Sequence, residues 1–216
     1  SSDSKSFITN SVWYSQDIVK KLVHIFRSPL DNVVARFHLE RKRFTRKNDK
    51  KWLNDYPNTK EGFRKWCGSI DDSQQLARSR WVDRDLTAAF SGVPCHAEFY
   101  RYVQWHNLAF IVSMELDLPT IVLHYEDYST RFEDVTSHLV DFLELEPASN
   151  SAAPEFIAKK EYAHYYSEEQ ADAIAALVKE LSTKQTWKYL AHYFGEVDSD
   201  SATENHYDNN LEVKSE

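Results

Sequence analysis

The run Leu22-Val23-His24-Ile25-Phe26 is apolar, partly β-branched and very short, and it stops abruptly at Arg27-Ser28-Pro29-Leu30-Asp31. So compact an apolar run suits a strand buried on both faces better than an amphipathic helix, which needs polar residues at helical spacing. The next residues suit a helix start. Proline is pre-organised for the first turn, and Asp31 lies where the helix dipole favours negative charge. Val33, Val34, Phe37 and Leu39 then extend the helix. The same order returns later: residues 119–124 read as a strand, Tyr125-Glu126-Asp127 as its exit, and Thr130 with Glu133 as the capping box of a helix carrying Phe132, Val135, Leu139, Phe142 and Leu143. Strands alternating with helices imply a parallel sheet, so the expected class is α/β, helix-rich, with a small parallel sheet flanked by helices.

Between the two units, residues 94–116 form a long helix candidate. Phe99, Tyr102, Val103 and Phe110 fall on one side and Trp105, Leu108 and Val112 on another, so burial around most of its circumference is expected. Farther on, Ser167 with Gln170 caps a helix whose Ile174, Leu177, Val178 and Leu181 recur at helical spacing. Ser182 with Gln185 is expected to cap another, running through Trp187, Leu190 and Phe194 to Gly195. Residues 146–154 read as a surface loop, and no internal repeat is present. A single domain over residues 1–195 is expected, followed by an acidic, disordered tail at 196–216 with seven acids and one lysine.

Only four glycines occur in 216 residues, so neither a three-glycine dinucleotide fingerprint nor a Walker-type loop is present. No apolar run is long enough for a membrane span. The sole methionine is Met114, and Ser1 onward has neither the charged n-region nor the apolar core of a signal peptide, so the chain is expected to be a piece of a longer protein. The net charge of -8 hides a basic segment: residues 36–65 carry eleven Lys and Arg against four Asp and Glu. That segment is either a solvated surface or a face that steers an anionic ligand. No nucleic-acid recognition motif accompanies it, so nucleic acid is not the expected partner.

Ligands of parallel sheets bind outside the carboxyl ends of the strands, and Arg27 stands at such an end, immediately before a helix N-terminus. A guanidinium fork beside first-turn N–H groups suits a phosphate or sulfate. The alternative is an arginine paired with a neighbouring acid, Asp31 or Glu126. The two cysteines, Cys67 and Cys95, each placed beside an expected helix boundary, leave two states open, a disulfide or two reduced thiols. A metal site is not expected, since Cys95, His96 and His106 lack paired-ligand spacing.

The run Val23-His24-Ile25-Phe26-Arg27-Ser28-Pro29-Leu30-Asp31-Asn32-Val33-Val34-Ala35-Arg36-Phe37-His38 resembles the 3′-phosphate-binding segment of sulfotransferases that use 3′-phosphoadenosine-5′-phosphosulfate (PAPS), a P-loop-type family. Phe99-Tyr100-Arg101-Tyr102-Val103-Gln104-Trp105 is similar to the aromatic helix before the next strand of that family, and Val122 to Tyr128 with Leu139 to Leu145 is similar to its strand exit and following helix. The resemblance covers residues 22–145. It implies transfer of a sulfuryl group from PAPS to a hydroxyl or amine acceptor, such as an anionic glycan or a protein, in a Golgi or secreted setting, with a cytoplasmic one as the alternative. Carried over residue by residue, it implies donor contacts from Arg27, from Ala35 where the family commonly has a phosphate-binding serine, from Arg36 as a substitute for that serine, and from Tyr100 as an adenine-stacking ring. It also favours the Cys67–Cys95 bridge. The family's 5′-phosphosulfate loop is expected upstream of Leu22, and nothing in residues 1–17 resembles it. No catalytic base is identifiable, and His24, inside its strand, is expected to be packed. The family's later Arg-Lys-Gly loop has no clear copy. A fold that binds without transferring is therefore carried as the second expectation.

Overall fold

The computed structural model describes residues 8–9, 12–13, 18–74, 84–146 and 162–196. The expected tail beyond Glu196 and the expected loop at 147–154 lie outside the described residues. The protein is helix-rich α/β with a small parallel sheet. It divides into two compact units: the described residues within Ser1–Phe26 and Ala109–Ala158 form one, and those within Arg27–Leu108 and Lys159–Ser201 the other.

In the first unit β1 (Ile8–Thr9) and β2 (Val12–Trp13) make a two-residue antiparallel ladder, and β3 (Leu22–Phe26) pairs in parallel with β4 (Thr120–His124), Leu22 opposite Thr120 and Phe26 opposite His124. Alternation along β3 separates its side chains into two sets. His24 and Phe26 turn to one face, where the His24 ring lies 4.6 Å from Phe26 and 4.5 Å from Phe110. On the other face Val23 packs against a cluster of Ile121, Leu123 and Val135. Burial on both faces is thus incomplete, for Ile25 is 46% exposed. After β4 the chain tightens into a 3-10 turn (Tyr125–Ser129), and the N–H groups of Thr130 and Arg131 close onto the Asp127 carbonyl. Helix α6 (Phe132–Phe142) consequently starts after Arg131 with no side-chain cap, and the expected Thr130–Glu133 capping box does not form. Lys21 fastens the strand entry to the end of α6, donating to the Phe142 carbonyl at 2.5 Å and pairing with Glu144 at 2.7 Å.

The second unit is built on α1 (Pro29–Arg46), α2 (Lys50–Asp55), α3 (Lys60–Gln74), α4 (Arg84–Ala89) and the first part of α5 (His96–Glu115). Helix α1 begins as expected: Ser28 Oγ accepts the Asp31 N–H, with Pro29 in the first turn. The basic segment is mostly helical, because Val33, Val34 and Phe37 on α1 and Phe63, Trp66 and Cys67 on α3 bury an apolar stripe beneath the cations. The turn into α3 requires Gly62, since a Cβ there would meet the Pro57 carbonyl oxygen. Helix α5 buries Phe99, Tyr102, Val103, His106 and Asn107 on one stripe but exposes Trp105 and Leu108, which corrects the expectation of burial around most of its circumference. One stripe suffices because neighbours cover a single face. Asn107 serves as a buried clip: its Nδ2 donates to the Leu181 carbonyl at 2.9 Å and its Oδ1 accepts the Thr183 N–H at 3.1 Å. That clip lies at the junction of α7 (Glu168–Leu181) and α8 (Lys184–Leu190). Helix α7 carries the expected Ser167–Gln170 capping box. Helix α8 is capped by Thr183, not by Ser182, because the Ser182 hydroxyl bonds back to the Val178 carbonyl at 2.7 Å and belongs to the preceding helix. No helix among the described residues is long and apolar enough to cross a membrane.

His24 is packed between rings, and burial lowers its pKa from 6.5 to about 4. The unfolded chain therefore takes up a proton near pH 6.5 that the native chain accepts only near pH 4, so this residue's contribution is complete above about pH 6.5 and falls away as pH drops towards 4. The total is about 3 kcal/mol at 1.36 kcal/mol per unit. Urea unfolding at pH 7.5 and pH 4.5 is expected to show wild type losing more stability than His24→Leu, by roughly that amount. Equal losses in the two proteins would remove His24 as the cause.

Candidate functional site

Four consecutive residues at the start of α5 each fasten that helix to another. Cys95, with φ of 60°, is bonded to Cys67, so the residues' two open states resolve to the disulfide. Cys67 itself sits within α3 and not at its boundary, facing inward beside Phe63 and Trp66. Asp71, one turn farther along α3, caps α5 from outside: its Oδ1 accepts the Ala97 N–H at 3.0 Å, and its Oδ2 lies 3.3 Å from His96 Nδ1. Burial pushes the Asp71 carboxyl up, against the opposing pull of the Ala97 N–H, the His96 ring and the N–H groups of Cys95 and His96. The His96 ring stacks on Phe90 at 4.9 Å.

Glu98 is the fourth fastening and lines a cavity of this unit. Its side chain is only 1% exposed, yet both oxygens are answered: Oε2 by Arg36 Nε at 2.5 Å and Oε1 by Arg101 Nη1 at 3.0 Å. The two guanidinium groups stay half in solvent, at 52% and 45% exposure. Around them the cavity is lined by Phe44, Trp52, Tyr56 and Trp66 and occupies about 310 Å³. Phe44 and Trp52 stack face to face at 4.3 Å, and Tyr56 tilts against Trp52 at 4.8 Å. Arg41 braces the wall from behind by donating to the Tyr56 carbonyl.

The residues singled out for a nucleotide donor are not gathered in that cavity, apart from Arg36. Arg27 follows directly on β3, and its carbonyl accepts the Tyr102 hydroxyl at 2.6 Å. Pro29 brings no N–H to the first turn of α1, and the N–H groups of Asp31 and Asn32 go to the Ser28 hydroxyl and carbonyl. Asp31 Oδ1 accepts the Tyr162 N–H at 2.9 Å. Ala35 is partly buried on α1 and offers a methyl group. Arg36 lies on the exposed side of α1 and gives its Nε to Glu98. Tyr100 is half-buried and meets the Phe90 ring edge-on at 6.3 Å. Among the described residues no cluster of His, Cys, Asp or Glu is arranged to hold a metal ion.

Glu98, Trp52 and Tyr56 do not stand out in the sequence. A local signal exists in part, since Arg36, Glu40 and Phe44 recur every four residues and so share one side of α1.

Replacing Glu98 removes the only carboxylate between two arginines, whose freed guanidinium groups can still turn to water. The expected cost is about 2–3 kcal/mol for Glu98→Ala, below the full penalty of orphaning a fully buried cation, and smaller for Glu98→Gln. Chemical denaturation of the three proteins measures this, and a loss for Glu98→Ala under about 0.5 kcal/mol would show that the triad does not hold α5 to α1.

Comparison with known proteins gives no match: no family model, no curated protein and no solved structure matches this chain.

Proposed function

We propose that the chain is a sulfotransferase-like domain of P-loop type whose Arg27 holds the 3′-phosphate of PAPS at the carboxyl end of a parallel strand. The observation that carries this reading is the succession along the chain of strand β3, which pairs in parallel with β4, then Arg27, then a helix capped by Ser28 with Pro29 and Asp31 in its first turn. Guanidinium forks match phosphate oxygens, and a charge-assisted pair of this kind is among the stronger polar contacts. When bound, PAPS supplies the sulfuryl group for a hydroxyl or amine acceptor, a glycan or a protein. In that setting Arg27 binds the donor and Tyr102 steadies its backbone. The Cys67–Cys95 disulfide supports an oxidising compartment, the Golgi lumen or the exterior.

A second reading, a domain of the same kind that binds without transferring, is favoured by two observations. Ala35 offers no hydroxyl, and the Arg36 Nε is taken by Glu98.

Calorimetric titration with 3′,5′-phosphoadenosine separates these from a fold with no nucleotide role. Binding is expected, and Arg27→Ala is expected to weaken it by about 1.5–3 kcal/mol with an unchanged circular dichroism spectrum. Absence of binding by the wild type, or equal affinity in the variant, would overturn the assignment of Arg27.

Supplied with PAPS and a panel of hydroxyl and glycan acceptors, the chain by itself is expected to transfer no sulfuryl group above background. Residues 1–17, upstream of β3, contain one lysine, no glycine and no histidine. The resemblance assigns the cations and the base that act on the transferring group to a loop upstream of β3, and residues 1–17 carry no copy of that loop; loss of such a base costs roughly 10²–10⁴-fold. Turnover that disappears in Arg27→Ala would show that the chemistry lies within these residues.

A further inference from the structure

The cavity over Glu98 joins a cationic edge to an aromatic wall, and Arg27 is not among its lining residues. On the cationic side, Glu98 takes one N–H from each of two guanidinium groups, and a guanidinium carries five. The remaining donors belong to half-exposed forks on the cavity lining. Arg36, Arg101 and Glu98 together carry one net positive charge, and Glu40, also on the lining, is answered by Arg43 at 3.3 Å. Further cations ring the aromatic wall: Arg43 and Lys47 each stand 5.7 Å from the Phe44 ring centre, and Lys65 stands 5.9 Å from that of Tyr56. The field at the mouth favours an anion.

On the aromatic side, Phe44, Trp52 and Tyr56 are each only partly buried, and Trp66 closes the wall behind them. Such rings take a flat C–H face well, while Ser69 and Glu40 on the same lining can meet hydroxyl groups. An alkyl chain would leave these polar partners unused, and a bare inorganic anion would leave the rings unused. A pyranose has one apolar C–H face, a rim of hydroxyls and, in acidic sugars, a carboxylate or sulfate that a guanidinium fork matches. The disulfide between α3 and the start of α5 points to the oxidising route through which acidic glycans are displayed.

We propose that this cavity, framed by α1, α2, α3 and α5, binds a sugar unit bearing one anionic group, with Arg36 and Arg101 on the anion and the Phe44–Trp52–Tyr56 cluster against its C–H face. The site is independent of sulfuryl transfer, because Arg27 takes no part in it.

The test is titration of the whole chain, followed by tryptophan fluorescence and amide shifts. The probes are a monosulfated galactose disaccharide, a glucuronate-containing disaccharide, the neutral disaccharide, phenyl sulfate, inorganic sulfate and a short single-stranded oligonucleotide. The two acidic disaccharides are expected to bind about tenfold or more tightly than the neutral one and than inorganic sulfate, the difference one charge-assisted contact provides. Trp52→Leu and Arg101→Gln are each expected to weaken them about fivefold or more. Helix α2 has no buried residue, so Trp52→Leu should fold even where Arg101→Gln does not. Equal binding of the neutral disaccharide, stronger binding of phenyl sulfate or of the oligonucleotide, inorganic sulfate as tight as the sugars, insensitivity to Trp52→Leu, or no binding at all would each overturn the proposal. Because 3′,5′-phosphoadenosine is titrated separately, failure here and failure of the Arg27 reading are distinguishable.

Discussion

The first turn of α5 is where the larger unit is tied together. Cys95 bonds to α3, the Ala97 N–H and the His96 ring meet Asp71 of α3, and Glu98 reaches Arg36 of α1. A helix N-terminus ordinarily caps itself with a residue just before it. Here the residue in that place is a cysteine with positive φ, whose side chain has no oxygen to offer the Ala97 N–H, and a carboxylate from a distant helix takes over. The capping contact thereby becomes a tertiary one. Losing it would uncap α5 and leave the disulfide to tie it to α3. With a sequence separation of 28, the bridge contributes about 2–4 kcal/mol through the unfolded chain.

That arrangement explains why a carboxylate as buried as Glu98 is tolerated. Taking a lone carboxylate out of water costs several kcal/mol, and attraction to one partner seldom offsets it. Two guanidinium groups that keep their outer faces in solvent lower the cost, because only the acid is desolvated. The same geometry leaves unspent N–H donors pointing outward beside aromatic rings. A device that stabilises the fold and a device that could grip an anion are then the same three side chains, Arg36, Glu98 and Arg101. The stabilising role is the firmer of the two on structural grounds, since both oxygens of Glu98 are satisfied without any ligand.

Much of the framework was legible in the chain. Leu22–Phe26 and Thr120–His124 are short apolar runs that turn directly into helices, and they form the parallel pair. The Ser167–Gln170 box was legible because its contacts are local. Errors came where a neighbouring hydrogen bond competed. Ser182 was claimed by the Val178 carbonyl, and Thr130 by the 3-10 turn closing on Asp127. The basic segment was legible as a charged surface, whereas the stripe of Phe37 and Phe63 that it lays on the core beneath its cations shows only once α1 and α3 pack. The cavity was illegible because four helices build it. Arg36 and Glu98 are far apart in sequence, and no spacing rule connects them.

The strand-exit motif can be weighed by asking what each of its polar groups already does. The Arg27 carbonyl takes the Tyr102 hydroxyl, the Ser28 hydroxyl takes the Asp31 N–H, and the Asp31 carboxylate takes the Tyr162 N–H. These three groups of the motif thus have structural duties, joining α1 to α5 and to the segment before α7. Such duties are compatible with a binding role only for a group whose contacts leave directions open. A capping hydroxyl and a carboxylate committed to a backbone N–H meet it poorly, whereas a guanidinium brings five donors in a fork and can keep one contact while making another. The functional weight of the motif therefore falls on one side chain. An Arg27 that grips phosphate would do so on a backbone already held by Tyr102, and the contact would need little ordering on binding.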